Sequence, residues 1–179
     1  MRYLLLLTVI ILSGCSVATP PYVASISNVQ VIKRSDIKAL NVGDFKTDKN
    51  LNSIGLRASN LSSSVGKSFG DYLTKAITDE LKLANVWSGV SDTVVSGELL
   101  ENDIDISGFS IGTGIISVRF LVKKGDLLIF DKKITATHQF ESSFMGNIAI
   151  PNGQMSYVDL VQNLVKALFS DPEFIQAVS

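Results

Sequence analysis

Residues able to do chemistry are scarce in this 179-residue chain, and the scarcity excludes more than it suggests. His138 is its one histidine and Cys15 its one cysteine. A serine hydrolase needs a serine, a base and an orienting acid in contact, and no Gly-x-Ser-x-Gly elbow is present. His138 shares strand parity with Phe130, Ile134, Ala136 and Phe140, which points it toward or beside an apolar face and favours a structural role. Glu101, Asp103 and Asp105 alternate along one strand face, opposite Ile104 and Ile106. Three carboxylates so spaced suit a hard cation such as calcium; they also suit a solvated face that discourages edge aggregation. Gly112-Thr113-Gly114 lacks the lysine and the spacing of a phosphate loop. We read 107–114 as a mobile connection carrying two apolar residues, Phe109 and Ile111. A second irregular apolar stretch holds Phe144, Met145 and Ile148 and ends at Pro151. Apolar loops of this kind either mark a contact surface or fold back onto the core. With one histidine and one cysteine, neither a metal nor another cofactor is expected, and no catalytic residue is assigned.

Cys15 is where the types and spacing are most specific. Arg2 supplies a basic start, 4–11 an apolar run, and Ser13-Gly14 the small residues before the cysteine. This is the layout of a secretory signal, and the run is too short for a permanent membrane span. Leu12-Ser13-Gly14-Cys15 resembles the lipobox of bacterial lipoproteins. The resemblance implies cleavage before Cys15 and lipidation of Cys15 by a diacylglyceryl group and an amide-linked fatty chain such as palmitate. One chain binds a membrane marginally and two hydrophobic signals anchor stably. Ser16, standing where a retention aspartate often follows the cysteine, favours the outer membrane. A plain signal peptide, or a buried strand ending in cysteine, is the alternative reading of the same residues.

Composition sets the remaining bounds. Removal of 1–14 leaves 15–179, enough for one domain. The net charge of −1 becomes −2 once Arg2 is lost, and no Lys/Arg cluster suggests a nucleic-acid surface. A cysteine committed to lipid leaves none for a disulfide, so the apolar core alone must hold the domain. Three segments follow: signal 1–14, lipidated cysteine and tether 15–24, and a single periplasmic domain 25–179. The tether, with Pro20-Pro21, reads as extended and long enough to hold the domain roughly 20 Å from the lipid.

Hydrophobic periodicity supplies the elements that must position these residues. Strands are expected at 26–32 and 37–45, with a short edge strand through Ile54, Leu56 and Ala58. A helix is expected over 63–84, where Phe69, Leu73, Ala76, Ile77 and Leu81 recur at three- and four-residue spacing. Ser62 or Ser63 is its expected cap, Asn85 its stop, and Gly66 and Gly70 either weaken it or admit a neighbouring backbone. Three strands follow at 93–106, 115–122 and 127–140. A three-residue loop between the last two would pair Val122 with Leu128 and Phe120 with Phe130. A closing helix is expected over 156–169, with Ser156 and Asp159 as a capping box, then a restart at Pro172. The order predicts an α+β two-layer sandwich, a mostly antiparallel sheet with two helices packed on one face.

Gly43-Asp44-Phe45, Ser68-Phe69-Gly70-Asp71-Tyr72-Leu73 with Glu80-Leu81, and Ser96-Gly97-Glu98-Leu99 form a recognisable set. Glu141-Ser142-Ser143-Phe144 and Ser170-Asp171-Pro172-Glu173-Phe174 complete it. Together they resemble a family of small proteobacterial outer-membrane lipoproteins without assigned activity. The element order is similar to the small domain of the curli-secretion lipoprotein and to the N-terminal domain of the Tol translocation protein. Auxiliary lipoproteins of lipid-transporting ABC systems share the layout. None of these motifs is catalytic, so the resemblance carries over no functional residue. The expectation is a non-enzymatic outer-membrane lipoprotein facing the periplasm, an accessory or assembly subunit that works through protein contacts. The alternative is a lipid-handling auxiliary lipoprotein that shields acyl chains between helix and sheet.

Overall fold

The computed structural model describes residues 15–179. In chain order it contains β1 (Cys15–Ala18), α1 (Ile26–Arg34), β2 (Asn41–Thr47), β3 (Ile54–Leu56), β4 (Ser59–Ser62) and α2 (Phe69–Ala84). Then come β5 (Thr93–Asp105), β6 (Ile111–Lys124), β7 (Leu127–Glu141), α3 (Gly146–Phe169) and α4 (Pro172–Val178). The signal expected at 1–14 lies outside the described residues. β2, β5, β6 and β7 form the main sheet in that order; β2–β5 is parallel and the other pairings are antiparallel. A second sheet has the order β1-β4-β3, with β1 and β4 parallel. The class is α+β, as expected, with one small sheet and two helices more than the periodicity predicts.

α2 shows why local signals succeed. Ser68 is extended (φ −149°, ψ 159°), and its side chain accepts from the Asp71 N–H, which satisfies one of the free donors of the first turn. Asn85 ends the helix in the left-handed region at φ 62°. The helix starts at Phe69 rather than near 63, because Gly66 turns the chain at φ 59°. Gly70 lies so close to β2 that a Cβ there would stand 2.0 Å from the Phe45 carbonyl oxygen. That glycine is the close approach its position suggests.

Three sequence expectations are corrected. Residues 26–32 are helix, not strand: Asn28, Val29 and Ile32 bury one helical face, and Asn28 donates to Glu80 and to the Gln162 carbonyl. β-branched residues there suggest strand by propensity, and tertiary packing overrides it. α3 begins ten residues before Ser156 and runs through Pro151. Its small residues Ala149 and Gly153 let the backbone approach β3 and β5; a Cβ on Gly153 would stand 2.7 Å from Ile106 Cγ2. Ser156 is therefore interior and donates to the Gly153 carbonyl at 2.9 Å instead of capping. Finally, the β6–β7 turn is the two-residue Gly125-Asp126, pairing Lys124 with Leu127 and Lys123 with Leu128. A bulge at Ile129 then restores parity, so Val122 faces Phe130 and Phe120 faces Lys132. Lys132 shares the helix-side parity and reaches Asp171, which caps α4, and Glu173 in its first turn at 2.8 and 2.9 Å.

The core lies between the main sheet and α2 and α3, with α1 packed across both helices. Phe69, Tyr72 and Tyr157 meet ring to ring, and Phe120 meets Phe45 edge to face at 5.7 Å. All five rings are buried. Among the described residues no helix covers the far face of the sheet.

Candidate functional site

Two connections at one end of the sheet, β5–β6 and β7–α3, bring the sequence-predicted apolar residues together. Asp105 accepts from the Ser107 N–H at 2.7 Å, and hydrogen bonds from Ser107 hold its carboxyl below the usual range. The Ser142 N–H donates to the Ser110 carbonyl at 2.9 Å, tying the first connection to the second. The expected mobile stretch is thus a short turn: Ile111 and Gly112 already pair with Glu141 and Phe140, and Thr113 and Gly114 are strand residues flanked on both sides. Gly112 is required by packing, since a Cβ there would stand 2.4 Å from the Phe140 ring.

Neither loop folds back onto the core. Phe109 is 79% exposed and Phe144 74%; Ile111, Met145 and Ile148 are exposed as well. The Phe109 and Phe144 rings stack on each other, centroids 5.7 Å apart and planes 12° from parallel. What holds the pair of loops is a residue that sequence reasoning missed. Arg57, in the left-handed region at φ 54° in the β3–β4 turn, donates to the Phe144, Ile106 and Ser143 carbonyls at 2.7, 2.6 and 2.9 Å. Nothing in the local sequence marks Arg57, because its partners are 49 to 87 residues away.

The same turn leads to the residue expected to carry lipid. Ser59, two residues after Arg57, is the register partner of Cys15. The segment expected as a tether is extended but spent on the domain: β1 pairs along β4, and the Thr19 N–H donates to the Ser62 carbonyl at 2.8 Å. Gln154 of α3 donates to the Ala18 carbonyl. Tyr22 is buried and donates to Glu80 at 2.7 Å, and the Ser25 N–H and Asn28 reach the same carboxylate oxygen. The second Glu80 oxygen is buried without a hydrogen bond, and burial raises the carboxyl above its ordinary value. Glu80 was legible in principle, since it lies on the apolar face set by Phe69, Leu73, Ala76 and Ile77.

The other candidates do not assemble a reaction centre. His138, Ser156 and Asp159 line one surface groove between β7 and α3. His138 stacks beside Phe140 and stands 3.6 Å from Asp159, and the Ser156 hydroxyl hydrogen goes to a helix carbonyl, not to the imidazole. Glu101 accepts from Ser117, Asp103 is exposed, and Asp105 is engaged in its turn. β2 pairs with their strand only from Val94 to Leu99, so the three carboxylates lie beyond it, on a stretch laddered to β6 alone. Among the described residues no three His, Cys, Asp or Glu converge as a metal site, and no helix is long and apolar enough to cross a membrane.

No family model matches the chain, and no curated protein matches it. Among solved structures, it is similar to a DUF330-family protein from Xanthomonas campestris, with a TM-score of 0.61 and 9% identity over 86% of this chain and 92% of that one. It is also similar to a hypothetical protein from Chlamydia trachomatis, TM-score 0.49 and 11% identity over 79% and 99% of the two chains. A Caulobacter crescentus protein bearing a provisional lipoprotein description has a TM-score of 0.47 and 11% identity, over 84% and 96%. The first of these carries the fold alone.

Proposed function

We propose that the protein is a non-enzymatic, lipid-anchored protein of the bacterial envelope. It faces the periplasm from the outer membrane and serves as an accessory or assembly subunit through protein contacts. The observation that carries the envelope reading is the apolar tip: exposed apolar side chains from two connections and from the first residues of β6 and α3, braced by Arg57, at the end where β1 begins with Cys15. Monomeric surfaces seldom keep such a cluster unless something covers it. The Cys15 lipobox supplies the address, and the likeness in layout to envelope lipoproteins agrees with it. The lipid-shielding alternative needs volume between helix and sheet, where Tyr72, Tyr157 and Phe69 are fully buried ring to ring and Phe120 is buried against Phe45. Strand addition is restricted at one end of β7, where Asn163 and Asn152 already donate to the Thr137 and Glu141 carbonyls. Photocrosslinking in intact cells, followed by mass spectrometry, tests the role. A reproducible protein partner of fixed stoichiometry is expected. Its absence, together with a hydrolytic activity lost on His138→Ala, would replace the reading with an enzymatic one.

A further inference from the structure

We infer that the occupant of the apolar tip is the surface of the lipid bilayer itself, an assignment that rests on Cys15 being the lipid anchor. The tip and the anchor are joined by a short path of paired groups. Cys15 lies opposite Ser59, about 5 Å across the strand pair. Ser59 is at most ~7 Å along the chain from Arg57, and Arg57 holds the Phe144 carbonyl at 2.7 Å. Because β1 is bound along β4, no slack separates the lipid from the domain. Once Cys15 is in the membrane, Phe109 and Phe144 are held beside the same bilayer.

The chemistry of the tip suits that surface. Phe109 projects from the β5–β6 turn, exposed and stacked on Phe144, and the hollow beside it, lined by Ile111 and Phe140, is shallow and open to solvent. Arg57, the basic group at the tip, is committed to three carbonyls, and Asp105 and Glu141 stand nearby. Attraction to anionic headgroups therefore contributes little, and apolar insertion at the headgroup boundary is the driving term. Tethering converts that insertion into an intramolecular event, so a small apolar area suffices. The turn is already rigid through the Asp105–Ser107 and Ser142–Ser110 bonds, so little ordering remains to be done on insertion. β6 then leads away from the membrane for ~45 Å, so the rest of the domain stands clear of the bilayer.

The native, lipidated full-length product, reconstituted in phosphatidylcholine vesicles, provides the test. Trp87 is the one tryptophan and is replaced by Phe, and Phe109→Trp then reports on the tip. The expected result is a blue shift and a loss of emission when the vesicles carry dibrominated acyl chains, with intact mass showing acylated Cys15. Acylated protein without quenching overturns the tip assignment and leaves the anchored reading standing. Protein crosslinks from position 109 in cells would then name the occupant. A free thiol at Cys15 overturns both. A second reporter, Phe144→Trp, must give the same answer, since its ring stacks on Phe109.

Discussion

The open face of the main sheet and the apolar tip are both exposed, and water is treated differently at each. On the sheet face, polar groups complete one another. Arg119 grips Asp131 through two bonds of 2.7 and 2.6 Å, and beneath the exposed side chains the buried Ser117 hydroxyl lies 2.8 Å from both Glu101 and Thr135. At the tip, polar bonding is confined to the backbone beneath, where Arg57 and Asp105 fix the loops, while the side chains above it are apolar. A polar exposed surface is complete in water; an apolar one becomes complete only against a neighbour.

Equal chemistry at unequal burial gives the strongest way to break this contrast. Phe120→Ala, at full burial, is expected to cost about 3–5 kcal/mol. Phe109→Ser with Phe144→Ser is expected to cost at most about 1.5 kcal/mol, the scale of one aromatic pair. Urea unfolding of both variants measures this, and a tip variant as damaging as Phe120→Ala would make the tip part of the core. Next in size is Arg57→Ala, which removes three charge-assisted bonds and is expected to cost about 1.5 kcal/mol. Limited proteolysis should then cut both loops faster while β6 and β7 stay protected.

A pH series sharpens the contrast between the tip and the docked N-terminal segment. Burial raises the Glu80 carboxyl above its ordinary value of 4.5, so the folded state holds that proton to higher pH than the unfolded chain. The stability it contributes is complete below the ordinary value and is lost as pH rises through the raised one. Relative to the wild type, Glu80→Gln should therefore gain stability over that window and then level off, in melts run at successive pH values. A flat difference would show that the three donors on Glu80 offset its burial, and a slope of the opposite sign that they outweigh it. The smallest effect is expected from Arg119→Ala on the open face, whose melting temperature should match the wild type within error. A clear drop there would mean that the face is less complete than its hydrogen bonds imply.

Much of this was legible locally. The α2 face, the stop at Asn85, the half-buried alternation of β6 and the restart at Pro172 were all readable from spacing. So was the existence of two apolar loops. α1 was misread because Ile26, Val29, Val31 and Ile32 favour strand by type, while the face that decides the matter is buried only when Asn28 meets Glu80 and the Gln162 carbonyl. Pro151 hid the first turns of α3 because proline normally ends a helix. Here the fit of Ala149 and Gly153 against Leu56 and Ile106 outweighs one missing hydrogen bond.

The amino-acid order by itself determined the Leu-Ser-Gly-Cys run that resembles a lipobox, the periods that make α2 and β6, and the apolar character of the residues at 109, 111, 144, 145 and 148. Only the tertiary structure decided that Phe109 and Phe144 stack, that Arg57 ties their two connections together, and that Cys15 begins at the same end. Periodicity reports how a segment meets its own neighbours along the chain, over three or four residues. The tip is built by hydrogen bonds and ring contacts between segments 35 to 87 residues apart, whose partners only the fold selects.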